Sequence, residues 1–400
     1  MDFILKRAAE IQEEIVAHRR YFHENAEIHN ELPLTCAYVM EKLKEMGYEP
    51  KQIAKSGVVA VAGKKPGKTF MIRADMDALP MGEETDEPFK SKTPHMHSCG
   101  HDLHTAMLLG AAKLLKENED KIEGQVKLMF QPAEETLWGA KAMIEDGLME
   151  NPKVDAAMMI HVRIDKELPP GTVIFSTPGI SNSSSDGFRV DIQGRGGHGA
   201  RPQVSIDPLT TAAHILINLQ DIYAKGVAPS DEIVVNICNI SGGSATNIIP
   251  DTAVMQGTIR TFDPEVRKFI LPRVEEIIEG TAKLFRTEAK ITWLANTSSV
   301  VNDEKLFYEL LGYAKEAFGA DGVVNMSEVR PKEARGAGSE DFAYVAELVP
   351  AIATGLVAGC EKDGYMYGGH HPMVRYDERA LKSGAAMYAT MAMKWLEGNK

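Results

Sequence analysis

Phe70-Met71-Ile72-Arg73-Ala74-Asp75-Met76-Asp77 sets a short apolar run directly against two carboxylates. A run of this length, bounded by polar residues, suits a strand buried on both faces. The pattern recurs downstream. Val126 to Phe130 passes through Gln131-Pro132 into Glu134-Glu135, and Ala156 to Ile160 ends at His161. In an open α/β sheet, ligands bind outside the carboxyl ends of the strands. Three apolar runs that end in acid–base or metal-ligating residues therefore predict one site at one sheet edge. Val58 to Ala62 reads as a further strand. Ile4, Leu5, Ala8, Ile11, Ile15 and Val16 make one helical face, Cys36 to Met46 a second helix stopped by Gly47, and Thr105 to Glu117 a third. This alternation predicts an α/β domain, with a mostly parallel sheet and helices on both faces.

A Ser-rich stretch, Ser181 to Asp186, interrupts the pattern. After it come strand Phe188–Gln193, helix Pro208–Tyr223, strands Ile233–Ile240 and Ala253–Thr261, helix Pro264–Phe285 and strand Ala289–Leu294. This β-α-β-β-α-β order is that of a small split βαβ unit. From about Val300 the helix–strand alternation resumes. Residues 185–295 thus read as a smaller α+β domain inserted into a larger one formed by residues 1–184 and 296–400. A chain of 400 residues, 44% hydrophobic, can bury two cores.

The balance of 44 basic against 57 acidic residues, −13 net, argues against nucleic acid or an anionic membrane as partner. No apolar run is long enough to span a bilayer, and Met1 to Arg20 lacks a cleavable signal's apolar block. Four well-separated cysteines do not form a disulfide framework. The expectation is a cytoplasmic protein.

Ahead of the third helix stand His95, His97, Cys99, His101 and His104. Imidazole and thiolate bind borderline-soft divalent cations well, so this cluster and the three strand ends together predict a hydrolytic metal centre. A papain-like Cys/His pair would leave the glutamate pair and His161 unexplained. Gly194-x-Gly196-x-x-Gly199 matches a dinucleotide fingerprint and raises a nicotinamide-dependent oxidoreductase as the alternative from a different class. However, Pro202 follows at once, and no acidic residue ends the next strand.

The chain resembles the aminoacylase and carboxypeptidase-type dinuclear metallopeptidases, specifically the amidohydrolase branch that holds hippurate hydrolase and the indole-acetyl-amino-acid hydrolases. The marks are Arg19-Arg20 with His23 and Glu27, Arg73-Ala-Asp75-Met-Asp77-Ala-Leu-Pro80, and His97-Ser-Cys99-Gly-His101-Asp102-x-x-His104. They continue with Gln131-Pro-Ala-Glu134-Glu135, His161-Val162, Gly196-Gly-His198, Asn247-Ile-Ile-Pro250, Ser339-Glu-Asp341-Phe342 and His370-His371-Pro372.

The resemblance implies that Cys99, His101, Glu135, His161 and His370 hold two divalent metal ions, with zinc, manganese, cobalt and nickel all suited to a mixed N/O/S site. It implies Glu134 as general acid/base, His198 as a group offered to the partner subunit's site for the oxyanion, and Asn247 and Arg260 as substrate-binding positions. Asp75, Asp77 and Asp102 are expected to orient ligands rather than bind metal. The implied activity is hydrolysis of N-acyl amino acids or related amides, by a homodimer formed through the inserted domain, which acts as a lid. A dipeptidase or an N-acetyl-diaminopimelate deacetylase is the alternative within the family, and a non-catalytic metal-binding protein a third reading.

The departures are Leu103 and Gln203 at positions where the family usually has glycine and histidine, Val162-Arg163-Ile164 in place of a Pro-containing turn, and Val374 where an aromatic is usual. They are expected to alter substrate choice. Cys36, Cys238 and Cys360, with His18, His29 and His214, are read as inert core groups.

Overall fold

The computed structural model describes residues 2–336 and 338–400. Contacts divide the chain into two units: Met1–Ser181, Val301–Gly336 and Asp341–Lys400 form the first, Asn182–Val300 with Ala337–Glu340 the second.

The first unit is an eight-stranded sheet with its main core against helices. The strands run in the order Lys51–Ile53, Gly57–Ala62, Gln125–Gln131, Thr69–Asp75, Ala156–Asp165, Ala351–Cys360, Val173–Phe175, Val323–Asn325. The four central strands pair in parallel, and the turn from parallel to antiparallel comes at Gly57–Ala62 on one side and Val173–Phe175 on the other. Central strands buried on both faces need near-continuous apolar runs, which is what Phe70–Ile72 and Ala156–Ile160 supply at 0–1% exposure. A second apolar cluster of Met71, Met129, Met143, Met159 and Phe342 covers the other face.

Helix His101–Glu117 begins four residues before its expected start. Gly100 precedes it in the left-handed region (φ 87°), and a Cβ there would lie 2.4 Å from Val162 Cγ2. Both the backbone angle and the space therefore require glycine. The helix is apolar nearly all round, as a helix enclosed by sheet and neighbours must be.

The expectation for Ala156–Ile160 needs correction. That strand runs on to Asp165, paired with Ala351–Cys360 throughout, so His161 sits within the strand and not past its end. Leu103 and Val374, expected to alter the site, lie in the main core. Cys238 is exposed, as are His29 and His214, so the core reading fails for these three. Cys238 is on an outer strand, and His214 stacks on Phe285 from the open side of its helix.

In the second unit four antiparallel strands, ordered Ile233–Gly242, Thr252–Thr261, Ser185–Gln193, Glu288–Thr297, pack on helices Pro208–Leu219 and Pro264–Leu284. The β-α-β-β-α-β order is present. Among the described residues no helix is long and apolar enough to cross a membrane.

His18 supplies a pH test of the first unit. Its ring is 5% exposed, bonded through Nδ1 to Tyr38 Oη at 2.9 Å, and burial lowers its pKa from 6.5 to about 4. Below pH 6.5 the unfolded chain protonates first, so stability falls as pH drops from 6.5 toward 4, by up to about 3 kcal/mol from this group. Urea unfolding at pH 7 and pH 4.5 should therefore show a smaller acid loss in His18→Gln than in the wild type.

Candidate metal centre

Asp77 is the organising residue. Its Oδ1 accepts the main-chain N–H of Glu134 at 3.0 Å, and its Oδ2 accepts that of Glu135 at 3.1 Å. Its carbonyl oxygen accepts the Nδ1–H of His101 at 2.8 Å. One aspartate thus fixes the glutamate pair and one imidazole. The turn that bears the glutamates is tight: Ala133 has φ 56°, and a Cβ on Gly139 would come within 1.6 Å of the Pro132 carbonyl oxygen. A left-handed alanine costs about 1 kcal/mol and persists only where its surroundings hold it.

Hydrogen bonds also set the ring tautomers. His161 donates from Nδ1 to the Val162 carbonyl at 2.7 Å, which leaves Nε2 facing Cys99 Sγ at 3.4 Å. His101, bonded through Nδ1, leaves Nε2 free at 3.8 Å from Glu134 and 3.9 Å from Glu135. His370 Nε2 lies 3.6 Å from Glu135 Oε2, and the backbone N–H of His370, itself at φ 66°, donates to Ser98 O. The structure thus brings all five expected ligands together. Cys99, His101 and His161 form one close group, Cys99, Glu135 and His370 another, and His101, Glu134 and Glu135 a third. Cys99 is common to the first two.

Two polar atoms test whether a cation fits. His101 Nε2 and Glu135 Oε1 are buried without a hydrogen-bond partner. Buried polar groups are normally satisfied, and a nitrogen beside a carboxylate oxygen and a thiol is the donor set of a borderline-soft divalent ion. The residues fit.

The electrostatics agree. Burial lowers His161 to about 3, which keeps it in the neutral, ligating form. Burial pushes the Cys99 thiol well up against the pull of His101, so it is a poor free nucleophile and becomes a thiolate only by exchanging its proton for a metal. For His101 burial disfavours the charge, yet the nearby Asp75 outweighs it and holds the ring above its usual range. A proton there occupies the place that a cation would take.

Asp75 and Asp102 occupy supporting positions. Asp75 accepts from His104 Nδ1 at 2.5 Å and pairs with Arg73 at 2.6 Å. His104 Nε2 accepts the Val162 N–H at 2.8 Å, so this imidazole is a spacer between carboxylate and backbone. Asp102 receives Arg19 Nε at 2.8 Å and His23 Nδ1 at 2.9 Å, which ties the first turn of helix His101–Glu117 to helix Gln12–Glu24. A network of Arg73, Gln131 and Asp341 lies alongside: Gln131 accepts from Arg73 Nε at 2.8 Å and donates to Asp341 at 2.7 Å. Sequence reading assigned this network no role, although an arginine inside an apolar strand was its signal.

His198, Asn247 and Arg260 belong to the second unit. His198 lies in a small two-stranded antiparallel sheet with Ile248–Ile249, and Asn247, just before that second strand, accepts the Gly199 N–H at its carbonyl oxygen at 2.8 Å. The exposed His198 ring accepts the Ala200 N–H at Nδ1, which leaves Nε2–H free to donate. Arg260 lies elsewhere on strand Thr252–Thr261, half-buried and bonded to Ser184 O and Ser339 Oγ. The glycine stretch 194–199 leads into the strand Gly197–His198 and not into a helix, so it presents no helix N-terminus to a pyrophosphate. The oxidoreductase alternative loses its only support.

Residues 71–394 match the model of Peptidase family M20/M25/M40. The chain is 36% identical over 393 residues to an N-acetyl-L-cysteine deacetylase of Bacillus subtilis, covering 98% of this chain and 90% of the relative. It is 36% identical over 399 residues to the hippurate hydrolase of Campylobacter jejuni, covering 98% and 100%. The crystal structure of the Bacillus subtilis YXEP protein, described as a dinuclear metal binding peptidase from the M20 family, superposes with a TM-score of 0.79. Identity there is 30%, with 97% and 99% of the two chains covered.

Asp77→Asn sets an amide NH₂ against a main-chain N–H, leaving one buried group unmet at a cost of about 1–3 kcal/mol. Calorimetric titration with zinc or manganese should show affinity weakened roughly 10–100-fold, the usual effect of losing a group that orients ligands, together with a lower melting temperature.

Proposed function

The chain belongs to peptidase family M20/M25/M40, and from that membership we propose that it hydrolyses the amide bond of N-acyl amino acids, releasing a carboxylate and a free amine. The observation that carries this reading is the convergence of Cys99, His101, Glu135, His161 and His370, distant in sequence, around two unmet buried atoms. These five residues would hold two divalent cations, whether zinc, manganese, cobalt or nickel. When bound, such cations supply Lewis acidity and lower the pKa of a water to about 7.

The chain's own residues do the rest. Glu134 is 6% exposed and set by Asp77 beside the ligand Glu135. It accepts the proton of the attacking water and returns it to the departing nitrogen. Because Glu134 and Glu135 are adjacent, one carboxylate serves metal and the other the proton. His198, with Nε2–H free, suits stabilisation of the oxyanion. Arg260 forms no ion pair among the described residues, and beyond the bonds of its Nη1 to Ser184 O and Ser339 Oγ its planar fork suits a substrate carboxylate. Asn247 adds a neutral donor beside the small sheet that carries His198.

The reading includes a homodimer and a cytoplasmic setting. Strand Ile233–Gly242 is an outer strand whose free edge carries exposed Val234 (44%) and Ile240 (39%), a template for pairing with a second copy. All four cysteines are free, and a reducing compartment keeps Cys99 available as a ligand.

Chelation should abolish hydrolysis of an acylated amino-acid panel, and restored metal should recover it. Glu134→Gln should keep the metal content by elemental analysis while kcat falls about 10²–10⁴-fold; near-normal turnover would remove the general-base role. Faster hydrolysis of dipeptides than of acylated amino acids would favour the dipeptidase alternative. Light scattering should give a dimer for the wild type and a monomer for the double variant Val234→Lys, Ile240→Lys.

A further inference from the structure

The Ser339-Glu-Asp341-Phe342 motif holds a carboxylate with no part in the chemistry described so far. Asp341 belongs to the first unit, is fully buried, and is bonded to both ends of the turn that carries Glu134 and Glu135. That turn runs from Gln131, the last residue of strand Gln125–Gln131, to Ala140, in the first turn of helix Gly139–Glu145. At its start, Gln131 Nε2 donates to Asp341 Oδ1 at 2.7 Å and to Oδ2 at 2.9 Å. At its end, the Ala140 N–H donates to Asp341 Oδ2 at 2.9 Å. Arg73 binds the pair together, its Nη2 donating to Asp341 Oδ1 at 3.1 Å and its Nε to Gln131 Oε1 at 2.8 Å.

The turn needs such a hold. Ala133 (φ 56°) and Leu137 (φ 55°) both stand in the left-handed region that a Cβ disfavours. A backbone of this kind persists only where its surroundings fix it. Asp77 secures the middle of the turn through the N–H groups of Glu134 and Glu135. Asp341 secures the ends. Both of its oxygens accept from these donors, so its part is to hold and not to ligate. One of them lies within 4.8 Å of a Glu134 carboxylate oxygen, which puts the clamp directly beside the group it aims.

We infer that Asp341 is a positioning residue for Glu134: by joining the two ends of the turn through Gln131 and Ala140, it fixes the direction of the general-base carboxylate. This rests on the amidohydrolase reading and on the role given there to Glu134. Glu135 shares the turn, but as a ligand it is also held by a bound cation, whereas no metal bond holds Glu134. Loosening the clamp therefore tells on proton transfer more than on metal binding. A shift of about 1 Å in a reacting group can cost about 100-fold in rate.

The test compares the wild type, Asp341→Asn, Gln131→Glu and the swapped pair that combines the two, all at saturating metal with one acylated amino acid. Asp341→Asn sets an amide NH₂ among N–H donors, and Gln131→Glu sets carboxylate against carboxylate. The swapped pair again matches a donor with an acceptor between positions 131 and 341. In each single variant kcat should fall about 10–100-fold, with KM within about threefold of the wild type and metal content unchanged. The swapped pair should turn over several times faster than either single variant. Gln131→Met, which frees one end of the turn without adding charge, should show the same kcat loss and serves where the other single variants fail to fold. A second readout needs no turnover. Amide hydrogen exchange in metal-loaded protein should quicken across residues 132–140 in the single variants, return toward the wild-type rate in the swapped pair, and stay unchanged in helix Pro264–Leu284. An unaltered kcat, a loss confined to KM, a loss abolished by added metal, a swapped pair no better than the single variants, or exchange that quickens evenly along the chain would overturn the inference. If the wild type hydrolyses no amide, the amidohydrolase reading fails by itself. Hydrogen exchange then decides alone, local quickening supporting the clamp and its absence refuting it.

Discussion

Two oxygens of one buried carboxylate hold this site together. By accepting the backbone N–H groups of Glu134 and Glu135, Asp77 points two adjacent acidic side chains into a region that already holds Asp75. Like charges gathered away from water are unfavourable unless something positive joins them. Arg73 answers for Asp75, and Arg19 with His23 answers for Asp102. At His101 and Glu135 two atoms are left unmet. The protein has paired Asp75 and Asp102 with its own cationic side chains and left His101 Nε2 and Glu135 Oε1 without such a partner, a donor set for a cation.

The imidazoles show the same division of labour. His101 and His161 each spend Nδ1 on a main-chain carbonyl and keep Nε2 for the centre, whereas His104 spends both nitrogens on the scaffold. Three neighbouring histidines thus play two parts, and the hydrogen bond on the far side of each ring decides which.

Much of this was legible in the chain itself. The apolar runs that end in Asp75 and Glu134 marked the sheet and its reactive edge, because strands buried on both faces leave an unbroken apolar signature. His161 was less legible. Nothing in Val162-Arg163-Ile164 reveals that the strand continues, since that depends on pairing with Ala351–Cys360, nearly two hundred residues away. Cys238, His29 and His214 were misread for a related reason: local composition does not say which strand is outermost or which side of a helix stays open. Leu103 and Val374 look like changes at the site in one dimension and are core residues in three. The buried arginine at position 73 depends on Asp341, a partner that no local window contains.

The left-handed backbone at His370 has a consequence for how cations enter. His101 is fully enclosed, whereas the His370 side chain is 57% exposed on a loop whose backbone is under torsional load. One side of the donor set is preassembled and shielded, while the other is finished by a side chain open to solvent. A cation at this centre would therefore be enclosed on the His101 side and reached from solvent on the His370 side.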